Sequence, residues 1–521
     1  MPEPLASSAP LFQSARFDDP QQVLETLFGY REFRPGQRHI IDAVLAGRDC
    51  IGVMPTGAGK SLTFQIPAKL LPGAVLVISP LISLMKDQVD ALTRVGFRAA
   101  VLNSTLSFDE RRERLARLKR GEIELLYVAP EGIEGSLREI IAGCAISLVV
   151  VDEAHCISHW GHDFRPAYRR LSGLKQQLGD IPVLALTATA TRRVAGDIID
   201  QLGMRQPDGF KGSFFRPNLL ITASRKGPAD GKPGRNTRRD MLGIVRRHAG
   251  ESGILYCMSR RAVDSTAEWL RAQGVKALPY HAGLPDEIRA RNQDAFARDE
   301  ADVVVATVAF GMGIDKSNVR FVIHRDMPKS VEAWYQEIGR AGRDGLESDC
   351  VLFYSWADVI GYDTFLSGVE DPEQREETRK KTVDLFRLVD RGGCRHQGLV
   401  RCFDEEIAPC SASCDVCRGV GIDALVGAHG ARGIEGALAA RRGGAQVLSE
   451  NPELFERLRR LRKRLADADE VPAYIVFSDA VLRQMAASVP RTRAELRAVP
   501  GVGPVKLERY GEAFLEEIGR G

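Results

Sequence analysis

The chain has 521 residues, of which 44% are hydrophobic and 27% charged, and this composition is typical of a globular protein of three or four domains. Its 72 basic and 69 acidic residues give a net charge of +3, so charge alone does not indicate nucleic-acid binding and any basic surface must be local. The N-terminus lacks the basic and apolar regions of a secretory signal, and no apolar run approaches the roughly 20 residues that cross a bilayer. The ten cysteines form no recognisable disulfide framework, so we expect a cytoplasmic protein without a membrane segment.

Short apolar runs separated by amphipathic helical stretches predict two α/β domains in tandem. The runs cover 74–80, 124–130, 147–154 and 183–189 in the first domain, and 253–259, 275–281, 302–309 and 319–324 in the second. Buried runs of this kind indicate parallel sheets that are covered on both faces. The domains are predicted to join near 214–218, and the Gly-, Pro- and Arg-rich stretch 225–239 predicts an exposed loop.

A phosphate-binding loop is indicated by the run Pro55-Thr56-Gly57-Ala58-Gly59-Lys60-Ser61, which follows a short predicted strand. Glycines let backbone N–H groups turn towards phosphate, the Lys60 amine would reach the β- and γ-phosphates of ATP, and the Ser61 hydroxyl would bind Mg²⁺. The longer form of this pattern has glycine where this chain has Met54, so an ordinary glycine turn remains the alternative.

An acidic pair ends the apolar run of 147–151. One carboxylate, Asp152, would hold Mg²⁺ while its neighbour Glu153 orients and deprotonates the attacking water, and His155 completes the run DEAH. A solvated strand end is the alternative.

An aromatic segment follows directly, and we expect it to contact DNA through Ser158, His159, Trp160, Phe164 and Arg165. Aromatic rings offer faces on which bases stack, at about 1–3 kcal/mol per base, and the arginine can pair with phosphate. The alternative is that both aromatic side chains belong to the core.

Two cationic side chains of the second domain, Arg340 and Arg343, follow Gln336 at helical spacing. Arginines in this arrangement often make surface salt bridges, but here they would serve as arginine fingers, which contribute about 10³–10⁵ in rate.

Further along the chain, Cys394, Cys410, Cys414 and Cys417 supply the four thiolates that a closed tetrahedral Zn²⁺ site needs. A redox-active pair at 414–417 is the alternative, although it lacks the usual βαβ setting.

These segments together resemble those of RecQ DNA helicases, a group of superfamily 2 helicases. The resemblance covers roughly 22–418 and includes PTGAGKS (55–61), VVVDEAHCISHWGHDFRPAY (149–168), LTATAT (186–191), FRPNL (215–219), ATVAFGMGIDK (306–316) and QEIGRAGRDG (336–345). It implies that Tyr30, Arg34 and Gln37 recognise adenine, and that Thr187 and Thr189 couple hydrolysis to DNA. It also implies that Ser158 to Arg165 sense single-stranded DNA.

The resemblance implies an α/β fold of two RecA-like parallel-sheet domains, followed by a helical zinc-binding subdomain and a small all-α HRDC-like domain. The expected bounds are 1–21 for an N-terminal extension, 22–213 and 214–352 for the two RecA-like domains, 353–418 for the zinc-binding domain, 419–450 for a Gly/Ala-rich linker and 451–521 for the HRDC-like domain. The linker is too short for the winged-helix domain that most relatives carry there, so we expect that domain to be absent.

The sequence therefore predicts an ATP-, Mg²⁺- and Zn²⁺-dependent helicase that moves 3′ to 5′ on single-stranded DNA and unwinds duplex DNA in recombination, replication-fork and repair processing. Its expected partners are single-stranded and branched duplex DNA and a single-strand-binding protein, and we expect a monomer. The alternatives are an RNA helicase of the same superfamily and a DNA-binding or annealing protein that does not unwind.

Overall fold

The computed structural model describes residues 17–80, 82–103, 106–133, 135–159, 163–229, 232–311, 316–366, 372–426 and 451–520. The chain forms two compact units, one of Met1–Gly212 with Pro490–Gly521 and the other of Ser213–Val489. Among these described residues no helix is long and apolar enough to span a membrane.

The first unit is built on a parallel sheet of seven strands in the order β3-β4-β2-β5-β6-β1-β7. Its strands are β1 Cys50–Val53, β2 Ala74–Ile78, β3 Ala99–Leu102, β4 Leu125–Val128, β5 Ile146–Val151, β6 Val183–Thr187 and β7 Asp208–Lys211. The α-helices are Pro20–Val23, Gln37–Leu45, Leu62–Ala68, Ile82–Arg94, Phe108–Lys119, Gly135–Ala142, Pro166–Arg169, Leu174–Gln177, Arg192–Leu202, Arg493–Ala498 and Pro504–Gly519. A π-helical turn, Leu24–Phe28, and two 3₁₀ turns, Pro130–Gly132 and Ala154–Ile157, complete it.

The second unit is built on a six-stranded parallel sheet in the order β12-β13-β11-β14-β15-β8. Its strands are β8 Leu219–Arg225, β9 Gly227–Ala229, β10 Lys232–Arg235, β11 Ser252–Tyr256, β12 Ala277–Tyr280, β13 Val303–Ala306, β14 Val319–His324 and β15 Ser348–Tyr354, where β9 and β10 pair as a separate antiparallel hairpin. The helices are Thr237–Arg247, Arg260–Ala272, Asp286–Ala297, Val331–Ile338, Trp356–Leu366, Pro372–Asp390, Arg395–Arg401, Asp415–Arg418, Asp423–Val426, Pro452–Ala468, Ala473–Val476 and Asp479–Ser488.

Burial explains why the apolar runs form central strands. Val149, Val150 and Val151 in β5 and Val303, Val304 in β13 are almost completely buried, as expected for strands covered by helices on both faces. All eight predicted runs contain a strand, so the prediction of two parallel-sheet domains is confirmed.

Two expectations for the connecting segments were wrong. Residues 225–239 do not form one exposed loop, because they contain the β9–β10 hairpin and the start of a helix whose first N–H groups are capped by Asn236. The linker does not begin at 419: Ile422 and Leu425 are about 95% buried in the core of the second unit, and Asp423 pairs with Arg235 at 2.8 Å. Residues 427–450 of the expected linker lie outside the described residues.

Candidate active site

The order of the first sheet brings three sequence motifs to one edge. The strands β5, β6 and β1 are neighbours, and each ends directly before a motif: Asp152 after β5, Thr187 at the end of β6 and the phosphate loop after β1. In parallel sheets of this type the carboxyl ends of the strands form the ligand-binding edge. The chain therefore collects its candidate ATP residues there.

The phosphate loop has the backbone shape that its glycines predict. Gly57 and Gly59 adopt positive φ angles of 83° and 78°, which residues with a Cβ atom disfavour. The Lys60 amine donates a 3.1 Å hydrogen bond to the Met54 carbonyl. The Thr56 hydroxyl is buried and has no hydrogen-bond partner among the described residues, so it is a free donor for a phosphate oxygen.

The residues implied in adenine recognition lie beside this loop. Tyr30 is 40% exposed and presents its ring to solvent. The Gln37 amide donates to the carbonyls of Gly59 at 2.9 Å and Ala58 at 3.3 Å, and its oxygen accepts from the Arg34 backbone N–H at 2.8 Å. Arg34 also donates to the Gly57 carbonyl. Gln37 thus joins the adenine segment to the phosphate loop, and its role towards the base stays a prediction.

The acidic pair is half-buried at the end of β5. Burial and the neighbouring Glu153 carboxylate raise the pKa of Asp152 to about 7, although Lys60 opposes this shift. Glu153 adopts a left-handed φ of 49°, an uncommon conformation for a residue other than glycine. A hydroxyl and a carboxylate are the oxygen ligands that Mg²⁺ prefers, so Ser61 and Asp152 suit the predicted metal role.

A chain of hydrogen bonds links the acidic segment to the segment after β6. The His155 Nδ1 atom lies 2.9 Å from the Thr187 hydroxyl, which itself donates to the Thr189 carbonyl at 3.0 Å. Burial lowers the pKa of His155 to about 3, so the ring is neutral at neutral pH. Because the Thr187 proton points to Thr189, His155 is the donor in the first bond and carries its proton on Nδ1.

Two side chains at this edge of the sheet were given no role in the prediction from the sequence. The Tyr168 hydroxyl donates to the Asp152 carbonyl at 2.9 Å, and the Gln88 amide lies 3.5 Å from the Ser61 hydroxyl. Both lie within residues 22–418, which the resemblance covers, but the contacts join residues 16 and 27 positions apart, which no local pattern indicates.

The described part of the aromatic segment is ordered by internal contacts. The rings of His159 and Phe164 lie 3.8 Å apart, and Arg165 reaches Asp163 at 3.2 Å and the Pro80 carbonyl at 3.3 Å. Ser158 is fully buried, so its side chain does not face solvent in this structure. Trp160 lies outside the described residues.

The arginines of the second unit follow the helix Val331–Ile338, which carries Gln336. Arg340 is 7% exposed and lies beside the Tyr256 phenol, and its Nε atom is buried without a hydrogen-bond partner in the described structure. Arg343 is half-buried. We call residues 339–344 the finger loop.

The four predicted cysteines come together in the second unit. Their four Sγ atoms all lie within 4.8 Å of one another. The backbone N–H groups of Cys410 and Cys417 donate to the Sγ atoms of Cys394 at 3.3 Å and Cys414 at 3.4 Å. Four converging sulfur atoms are the donor set of a structural Zn²⁺ site, and Zn²⁺ would hold the loop and two short helices of this region together.

Known families match four consecutive parts of the chain. They are the DEAD/DEAH box helicase family at residues 34–198, the helicase conserved C-terminal domain at 236–345, the RecQ zinc-binding family at 356–418 and the HRDC domain at 451–518.

Curated relatives match almost the whole chain. The ATP-dependent DNA helicase RecQ of Pasteurella multocida is 39% identical over 95% of this chain and 93% of its own length. The RecQ proteins of Haemophilus influenzae and Bacillus subtilis are 38% and 36% identical and are covered over 95% and 98% of their lengths.

The alignment with the Pasteurella protein also reveals a gap. It extends over 595 positions, whereas 95% of 521 residues is about 495, so about 100 positions of the relative have no counterpart here.

Solved structures share the fold. The helicase MrfA bound to DNA superposes with a TM-score of 0.54 at 17% identity, covering 65% of this chain and 51% of that one. The Mycobacterium smegmatis helicase Lhr, bound to single-stranded DNA and AMP-PNP, gives 0.53 at 21% identity, covering 79% and 57%.

Proposed function

Because the chain belongs to the RecQ family of ATP-dependent DNA helicases, we propose that it hydrolyses ATP to move 3′ to 5′ on single-stranded DNA and to unwind duplex DNA during recombination, fork processing and repair. The observation that carries the proposal is the meeting of the phosphate loop, the acidic pair and Thr187 at one edge of the first sheet. ATP hydrolysis and DNA helicase activity follow from family membership, while direction and pathway are the proposed part.

For ATP, the proposed roles follow the geometry of the first unit. The adenine would lie by Tyr30, Arg34 and Gln37, and the phosphates would be held by the loop from Thr56 to Ser61 with the Lys60 amine. Mg²⁺, held by Ser61 and Asp152, would neutralise the developing charge on the phosphates. Glu153 would orient the attacking water as general base, and neutral His155 would pass the state of the acidic segment to Thr187.

For the second unit, Gln336, Arg340 and Arg343 would act as the transition-state residues. Positively charged fingers stabilise the charge of the transferring phosphoryl group, and they make hydrolysis depend on the arrangement of the domains. The buried, unpartnered Nε of Arg340 supports this proposal, because an unpaired buried donor is costly unless a ligand uses it.

For DNA, we propose that the segment Ser158 to Arg165 binds the single strand through Trp160, Phe164 and Arg165, with His159 supporting the ring of Phe164. The segment starts three residues after His155, so a bound strand can reach the acidic pair through a short path. The domain bounds given above, with the linker starting after Val426 instead of at 419, belong to the same proposal. So do a monomeric state, a cytoplasmic location with the nucleoid, and binding of a single-strand-binding protein.

The test is unwinding of forked DNA and of duplexes with a single 3′ or 5′ tail, measured with the wild-type protein and with Lys60→Ala. We expect release from the fork and the 3′-tailed duplex only, and none by the variant, whose phosphate contact is lost. Equal release by both proteins would refute the helicase proposal, and preference for the 5′ tail would refute the direction. Stronger ATPase stimulation by single-stranded RNA than by DNA would favour the RNA helicase instead.

A further inference from the structure

One buried arginine of the second unit is hydrogen-bonded to the backbone of the finger loop. Arg216 is 8% exposed, and its two terminal nitrogens donate to the carbonyls of Gly339 at 2.9 Å, Ala341 at 2.9 Å and Gly342 at 2.7 Å. Burying a guanidinium is costly unless its N–H groups are satisfied, and here three carbonyls satisfy them. The partners lie 123 to 126 positions away in sequence, so the contact is a specific tertiary one.

The three carbonyls that Arg216 binds lie at and beyond the end of a helix, and that of Gly342 also accepts a 3.0 Å hydrogen bond from the Gly345 N–H. The helix Val331–Ile338 ends at Gly339, and the last carbonyls of a helix have no partner within it. Gly342 has a positive φ of 56°, and a Cβ atom built there would come within 2.5 Å of the Asn218 amide. Asn218 also binds this region, because its amide donates hydrogen bonds to the carbonyls of Gly342 at 2.9 Å and Leu346 at 3.0 Å.

The carbonyls that Arg216 binds are direct chain neighbours of both proposed arginine fingers. Arg340 lies between the gripped carbonyls of Gly339 and Ala341, and Arg343 directly follows Gly342. A shift of the Arg216 guanidinium would therefore displace the backbone from which both side chains project. A misplacement of about 1 Å in an active site can reduce a rate about 10²-fold.

Residues 213–218 contain Arg216, and their first two residues are bound by residues of the cysteine-rich region. Glu405 accepts hydrogen bonds from the Ser213 hydroxyl at 2.5 Å and the Phe214 N–H at 2.7 Å, and the Phe214 ring stacks on Phe403 at 4.6 Å. The Tyr335 hydroxyl, on the helix before the finger loop, donates to the Phe214 carbonyl at 3.0 Å. The chain enters the second unit at Ser213, so residues 213–218 connect that entry point to the finger loop.

We infer that Arg216 is a positioning residue for ATP hydrolysis, which acts by holding the finger loop so that Arg340 and Arg343 are correctly placed. This inference rests on the proposed role of those two arginines. A purely structural role of Arg216 would affect hydrolysis whether or not Arg340 and Arg343 are present. A positioning role should affect hydrolysis only when those two arginines are present.

The experiment is a double-mutant cycle on the full-length protein. Arg216→Lys keeps the charge but replaces a fork of donors by a single point donor, so it cannot hold three carbonyls in the same way. The change is made in the wild type and in the Arg340→Ala/Arg343→Ala background. DNA-stimulated ATPase kcat and KM are measured per active site, titrated with a fluorescent ATP analogue, together with Tm.

In the wild type we expect Arg216→Lys to lower kcat about 10- to 100-fold, with KM for ATP changed by less than about twofold, because the fingers act in the transition state. In the finger-less background the same change should alter kcat by less than about twofold, since coupled residues are non-additive. The control is Arg462→Lys, another buried arginine of this unit that pairs with Asp479 at 2.7 Å and does not hold the finger loop; its kcat per active site should be unchanged.

An unchanged kcat, or the same fall in both backgrounds, would overturn the inference while leaving the proposed function intact. A finger-less protein with normal kcat would overturn the proposed role of the fingers and the inference with it. Should Arg216→Lys fail to fold, Asn218→Ala removes one hydrogen bond to the finger loop, at Gly342, and one to Leu346 just after it. This variant enters the same cycle, with an expected fall in kcat of about 3- to 10-fold.

Discussion

The 2.9 Å hydrogen bond between His155 and Thr187 joins the segment after β5 to the LTATAT motif at the end of β6. We predict that Thr187→Val, which has nearly the same shape, leaves the His155 N–H without its acceptor. An unsatisfied buried donor costs about 1–3 kcal/mol. We expect DNA-stimulated ATPase kcat to fall about tenfold with little change in KM for ATP, measured by steady-state kinetics.

Thr266→Val is the matched control for this change. Thr266 is also buried and also bonds to a side chain, accepting from Arg325 at 2.9 Å, but it belongs to the second unit, whereas the acidic pair belongs to the first. Equal loss of kcat in the two variants would show that the effect is a general one of burying a valine at a polar position.

A second residue-scale prediction concerns His248, which lies between Glu251 at 2.7 Å and Asp349 at 2.9 Å. Burial alone would lower the pKa of His248, but the hydrogen bonds to the two carboxylates outweigh it and raise the pKa to about 9. A raised pKa in the folded state stabilises the fold below the unfolded pKa of about 6.5 and loses that contribution as pH rises through 9. We expect the free energy of unfolding to fall by about 1–3 kcal/mol between pH 6.5 and pH 9.5.

The measurement is thermal unfolding between these pH values, with His248→Gln and with the exposed His39→Gln as control. The His248 variant should flatten the dependence of Tm on pH, and the His39 variant should follow the wild type. A His248 variant that keeps the full slope would show that other groups cause it.

At the scale of elements, the sequence predicted a structural feature correctly wherever the pattern that indicates it lies within one continuous segment. The eight apolar runs predicted strands because burial on both faces leaves a continuous hydrophobic run. The strands β3, β7, β8 and β15 were not predicted, and in β7 the reason is visible: Asp208–Lys211 alternates half-buried and exposed residues and has no apolar run. The phosphate loop and the cysteines were found because their spacing is local.

Contacts between distant segments were beyond the sequence. The helix Pro452–Ala468 carries six basic residues between 457 and 464, but Arg462 is buried against Asp479, and Lys463 donates to the Arg298 carbonyl at 2.9 Å. Arg459 donates to the Gly250 carbonyl. A count of cations does not reveal which of them are used within the chain, and the grip of Arg216 on the finger loop escaped for the same reason.

The cysteine cluster gives an element-scale prediction. Cys417→Ser removes one of four converging thiolates, and metal binding at such sites contributes directly to folding. We expect the zinc content, measured by atomic emission, to fall from about one per chain to well below one, and Tm to fall by about 5–10 °C. Cys402→Ser is the control, because Cys402 belongs to the same region but not to the cluster, and it should keep its zinc. Equal zinc content in both variants would contradict the assigned ligand set.

For the whole molecule, the expected absence of a winged-helix domain stays a prediction, and the alignment leaves about 100 positions of the Pasteurella relative without a counterpart in this chain. In the described residues after β15, regular structure is helical, and the one β-bridge joins Cys414 to Ile221. The C-terminal helices, which match the HRDC domain, therefore follow the cysteine-rich region without an intervening described sheet. A chain without that domain would keep the two RecA-like domains and would lack one surface on which duplex DNA is held.

The last prediction follows from that missing surface. Nucleic-acid affinity depends on the number of phosphate contacts, so a chain without the domain should bind the duplex more weakly than the single strand. We expect the Kd for a blunt duplex to be at least about tenfold above that for single-stranded DNA of equal length, measured by fluorescence anisotropy at fixed salt. Unwinding should then require a single-stranded tail, because loading depends on the strand and not on the duplex. Tight binding and rapid unwinding of the blunt duplex would show that another part of the chain, such as the C-terminal helices, provides the duplex surface. Repeating both measurements on residues 1–426, which keep the buried Ile422 and Leu425, would identify it.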